Sequence, residues 1–140
     1  MALPKAAEYS AEATEKALAL CMAKCTKLVD SMRVAKPAEA ERMRSLLGEI
    51  IKATPKLALE FKRKMTLDAV ACERNANARA ADGALTLAME NARADSKIER
   101  NRLVNEARNF CNKAISLGAS ANIRDVLNRK IEIIMMTGRA

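Results

Sequence analysis

Residues 101–112 read NRLVNEARNFCN, and two columns of side chains run through them. Asn101, Asn105 and Asn109 fall four residues apart, and Asn112 follows three later. Leu103, Ala107, Phe110, Cys111 and Ala114 recur between them at three-to-four spacing. At about 100° per residue the apolar set gathers on one side of a helix and the asparagines gather almost opposite. A strand would scatter both sets over its two faces. The stretch is therefore helical, with hydrocarbon inward and uncharged amides outward.

The same period extends in both directions. A first helix is expected from about Pro4 to Val34, with the stripe Tyr9, Ala13, Ala17, Leu20, Cys21, Cys25, Leu28 and Met32. Glu8, Glu12 and Glu15 suit the positive end of its dipole. Pro37 fits the first turn of a second helix. The seam Met43, Leu47, Ile50, Thr54, Leu57, Phe61, Met65, Asp68, Cys72 and Ala76 then continues straight through ATPKL. Its continuity favours one long helix kinked at Pro55 over a helix split there. Gly83 is expected to stop this helix. A third runs from near Ala84 to Leu117, with a candidate interruption at ADSKIE, where Ser96 and Glu99 have capping-box spacing. Gly118 ends it and Ser120 caps the last helix, which carries Ile123, Leu127, Ile131, Ile134 and Met135. No period-2 strand is visible. The expectation is an all-α antiparallel bundle of about four principal helices, forming one domain over residues 1–140, with short connections between neighbours.

Composition narrows the function. With 140 residues, 50% apolar and 30% charged, the chain suits a single self-sufficient core. Its longest apolar runs are far short of a membrane span. The opening MALPKAAEYSAE has no extended apolar core, so no secretory leader is expected, and the chain is placed in a reducing intracellular compartment. There is no histidine and no tryptophan, and aromatics are 2%. The commonest general base and metal ligand is thus missing, as are the stacking platforms of single-strand readers. No phosphate loop, nucleophile elbow or paired-histidine motif is present, so no catalytic residue and no cofactor are expected.

Four sets of residues remain as candidates. The first is the Asn column with its flanking Arg102 and Arg108. Asparagine offers donor and acceptor without charge, so it can be satisfied against another polar surface where an unpaired Lys or Glu would be costly. Asn75, Asn77 and Asn91 extend the same habit. The second is the last helix, where Ile131, Ile133, Ile134, Met135 and Met136 make it apolar nearly all round; Ile133 and Met136 are read as partner-facing. The third is basic. The net charge is +8, and residues 36–80 hold ten bases against six acids. Lys52, Lys56, Arg63 and Lys64 are the candidates for phosphate contact, the first three along one helical face, with Lys62 beside them. The fourth is cysteine: Cys21, Cys25, Cys72 and Cys111 all fall on apolar stripes, where small core packers are the expectation and a thiolate metal cluster the weak alternative. The eight methionines mostly follow the same seams.

These features point to a non-catalytic structural or assembly subunit. It would dock on other protein subunits, in a hetero- or homo-oligomer, through Asn101, Arg102, Asn105, Arg108, Asn109, Asn112, Ile133 and Met136. The alternative is a basic helical protein that contacts RNA or DNA backbone. A small helical enzyme or thiolate metal protein comes third.

Overall fold

The computed structural model describes residues 3–93 and 96–137, with side chains for 14–91 and 96–137. The described residues form five helices and no strand: α1 (Leu3–Met32), α2 (Pro37–Ala53), α3 (Leu59–Arg93), α4 (Lys97–Ser116) and α5 (Asn122–Thr137). The side chains of Glu8, Tyr9, Glu12 and Ala13 lie outside the described set. No described helix is long and apolar enough to cross a membrane.

The seam through ATPKL does not belong to one kinked helix. Proline lacks an N–H, and its ring disfavours the α conformation in the residue before it. Thr54 accordingly sits at φ −123°, ψ 70°, and its N–H turns back to Ile51 O. Its hydroxyl donates to Ile50 O at 2.8 Å, and Leu57 N closes a turn onto Thr54 O at 3.2 Å. The seam is continuous in sequence because α2 and α3 face the same core. Leu47, Met65, Ala69, Cys72 and Ala76 are buried in one cluster with Cys25, Val29 and Met32 of α1. Leu20, expected on the α1 stripe, is instead 65% exposed.

Gly83 does not stop a helix either, for α3 passes straight through it. Ala81, Ala84, Leu85 and Ala88 are buried on both sides of it. That burial outweighs the ~1 kcal/mol a mid-helix glycine costs. α3 is described to Arg93 and α4 begins at Lys97, while Ala94 and Asp95 of the candidate interruption ADSKIE lie outside the described residues. The capping box, however, is not formed. Ser96 makes no side-chain cap, and Glu99 is drawn to Arg102. Gly118 does end α4. At φ 103° it occupies the left-handed position that favours glycine. Gly118 N donates to Ile115 O and Ala119 N to Ala114 O, each at 3.0 Å, the paired bonds of a Schellman turn. Ser120 Oγ then accepts from Asn122 N at 3.3 Å as α5 begins.

Packing makes α3 the spine. α1 and α2 cover its first half, while α4 and α5 cover its second half around Ala81, Leu85, Ala88, Leu103, Val104, Ala107, Cys111, Leu127, Ile131 and Ile134. Among the described residues no Cα of α1 or α2 comes within 8 Å of one in α4 or α5. The chain is therefore two three-helix packs sharing one helix.

Candidate docking surfaces

The outer face of α4 is built as the sequence reads. Leu103, Ala107, Cys111 and Ala114 are buried, Phe110 is half-buried, and Asn101, Asn105, Asn109 and Asn112 are all exposed. Their partners divide them. Asn101 Oδ1 accepts from Arg100 Nε at 3.3 Å and from Arg100 Nη2 at 3.2 Å. Asn112 Oδ1 accepts from Arg124 Nη2 at 3.1 Å and so ties α4 to α5. Asn105, Asn109 and the exposed Arg108 beside them have no partner among the described residues. Arg102 flanks the column, as the sequence reading has it. It is clamped between Glu99 and Glu106, one turn away on either side. The hydrogen bond from Arg102, with its charge, holds the Glu99 carboxyl below the usual range, and Arg102 is itself pushed further up. Of the Asn column and its two flanking arginines, Asn105, Arg108 and Asn109 are thus without a partner among the described residues.

The apolar surplus of α5 faces both ways. Leu127, Ile131 and Ile134 are buried, while Val126, Ile133 and Met136 are 50%, 56% and 68% exposed. Between α5 and α3 runs an open groove. Leu85, Met89 and Ile134 form its floor over one stretch, with Thr86 and Glu90 on the α3 lip and Ile133 on the α5 lip. It continues past Ala81, Ile123, Val126 and Leu127. Asp82 and Lys130 line both stretches and meet across the groove at 3.5 Å. Both are largely exposed, so this pair adds at most ~1 kcal/mol and is easily parted.

The basic residues do not form a row on one helical face. Lys52 lies in the last turn of α2, Lys56 in the turn after it, and Arg63 and Lys64 near the start of α3. They surround a corner. Lys62 Nζ donates to Pro55 O at 3.1 Å and braces that corner. Lys52, Lys56, Arg63 and Lys64 are exposed, with no carboxylate within ion-pair distance among the described residues.

The cysteines part company. Cys25 and Cys72 are buried in the first pack with half-buried Cys21 beside them, whereas Cys111 lies in the second. A four-thiolate cluster is therefore not assembled, and no described group of three or more Cys, Asp or Glu converges as metal ligands would. Burial pushes the thiols of Cys25, Cys72 and Cys111 up from their ordinary value.

Three buried polar residues escape a reading by stripes. Glu73 is wholly buried, Asn77 is 3% exposed and Arg100 is 7% exposed. Asn77 Nδ2 donates to Glu73 O at 2.9 Å, so this member of the wider Asn set points inward. Arg44 Nε stands 2.6 Å from Glu73 Oε2, yet off the N–H direction. The contact is an ion pair without a hydrogen bond, and both carboxylate oxygens are left unsatisfied. The one sequence signal was the i, i+4 placement of Glu73 and Asn77 beside the Cys72–Ala76 seam.

No family model matches this chain, and neither a curated protein nor a solved structure matches it.

Proposed function

We propose that this protein is a non-catalytic helical subunit that docks on other macromolecules through two faces. One is the polar strip Asn105, Arg108 and Asn109, and the other is the apolar ridge of α5. The observation that carries the reading is α5 itself. It places Val126, Ile133 and Met136 in solvent while also supplying the core with Leu127, Ile131 and Ile134. A helix apolar on both sides needs a second surface to cover it. The amides of Asn105 and Asn109, with no partner among the described residues, point the same way. The test is purification of the tagged chain from its native source, as wild type and as Ile133→Asp with Met136→Asp. A stoichiometric assembly that is lost in a folded variant supports the reading. A wild-type chain that runs alone, or an assembly that survives the change, refutes it.

A second reading has its own support in the corner of Lys52, Lys56, Arg63 and Lys64, where four cations lack carboxylate partners among the described residues. Contact with a nucleic-acid backbone through all four gives a slope of log affinity against log salt of about −3 to −4. A flat salt dependence removes it.

A further inference from the structure

We infer that the groove between α3 and α5 is filled by α5 of a second copy of this chain, in a two-fold pair. This names the occupant of the apolar face already proposed for docking and rests on that reading.

A two-fold interface must be self-complementary, because the same patch meets itself. This face carries both halves of such a fit. The exposed crest of α5 is Val126, Ile133 and Met136, and the groove beside it is floored by Leu85, Met89 and Ile134. Ile133 belongs to both, as a wall of its own groove and as a knob available to another. Val126 and Ile133 are seven residues apart, two turns along one side of the helix. An antiparallel copy of α5 therefore brings Val126 of each chain beside Ile133 of the other, with the axis near Lys130.

Charge argues for a second copy over an unrelated helix. The α3 lip is acidic, with Asp82 and Glu90, and Lys130 is the charged residue of α5 that lines the groove. Two-fold rotation about an axis near Lys130 turns Lys130 of each chain toward Asp82 of the other. The Asp82–Lys130 contact, long at 3.5 Å and exposed on both sides, then becomes part of a four-charge network. A 16-residue helix is about 24 Å long, and a strip spanning α5 and the α3 lip covers roughly 500 Å² per copy. That is short of the ~800 Å² per partner of a standard stable interface, so the pair is a weak, concentration-dependent one.

Sedimentation of the purified full chain from about 1 to 500 μM tests this. The expected result is a rise in weight-average mass from 15.3 kDa toward twice that value. Ile133→Asp should weaken the pair about 30-fold or more, as loss of a central anchor does. Circular dichroism confirms that the variant folds, and Met136→Asp serves where it does not. Asp82→Lys and Lys130→Glu chains should each stay monomeric alone and associate when mixed, since each then supplies the charge the other lacks. A wild-type chain monomeric at 500 μM overturns the inference, as does a pair unaffected by Ile133→Asp or a mixture that fails to associate. If the wild type is monomeric while α5 variants still lose a heterologous assembly, the self-pairing fails and the docking reading stands.

Discussion

Removing Arg44 should cost far more stability than its position suggests. The side chain is 38% exposed, which ordinarily marks a tolerant site. Its partner Glu73 is wholly buried, and neither carboxylate oxygen receives a hydrogen bond. At 2.6 Å, with an effective dielectric constant of ~20, the pair attracts by about 6 kcal/mol. Most of that is offset by the several kcal/mol needed to strip water from the carboxylate. The pair is therefore worth little net, but Arg44→Ala leaves the desolvation of Glu73 uncompensated. We expect a loss of about 3 kcal/mol, at the low end for a broken buried pair because water can enter where Arg44 stood. Glu73→Leu should cost about 1 kcal/mol or less, since Arg44 can swing into solvent. Arg44→Ala on the Glu73→Leu background should then be nearly neutral. Urea unfolding followed by far-ultraviolet circular dichroism measures all three, provided the slope with denaturant is unchanged. Additive losses in the double variant, or an Arg44→Ala cost below about 1 kcal/mol, would refute the reasoning.

Gly83→Ala should stabilise the protein by about 0.5–1 kcal/mol in the same assay. The residue is mid-helix, and a Cβ there meets nothing within 4 Å. Stability should fall with alkali: burial raises the thiols of Cys25, Cys72 and Cys111, so the folded chain keeps protons the unfolded chain has lost. The contribution is complete below the unfolded thiol value of about 8.5 and is lost as pH rises through the folded values. Urea midpoints between pH 7 and 10 read this, and substituting the three cysteines with alanine should flatten the decline. Asn105→Ala with Asn109→Ala should leave the thermal midpoint unchanged or slightly raised, since neither amide has an internal partner and alanine is the better helix former. Its effect should appear as weakened co-assembly at native concentration.

What the sequence made legible follows from how many sides of each helix are covered. α4 buries one face, so Leu103 and Asn105 declare inside and outside by spacing alone. α3 is covered by α2 over one stretch and by α4 and α5 over another, and a single stripe no longer describes it. Glu73 lies one residue off the seam and is buried nonetheless. Thr54–Pro55 was ambiguous because two helices meeting one core write the same heptad as one helix. Gly83 misled because burial of its neighbours overrides a local preference. The clamp on Arg102 was present in the spacing, with carboxylates at i−3 and i+4, and it outweighed the outward orientation that made Arg102 a docking candidate. The basic corner follows from the split at Pro55: once the helix breaks, residues at i and i+11 no longer share a face.

The placement of α5 ties the architecture to the proposed role. Because the two packs meet only through α3, α5 gains nothing from α1 or α2. It is held by Leu127, Ile131 and Ile134, one hydrogen bond from Arg124 to Asn112, and an exposed ion pair from Lys130 to Asp82. A helix of 16 residues is marginal in water by itself, so its order depends on what it packs against. Anything that binds the folded α5 and not its frayed form stabilises it by mass action. Amide hydrogen exchange in α5 should therefore slow as protein concentration rises through the micromolar range, while the inner face of α4 at Leu103–Ala107 changes little. Equal slowing throughout the chain would mean that association acts on global unfolding. No slowing at any concentration would mean that α5 is not the covered surface.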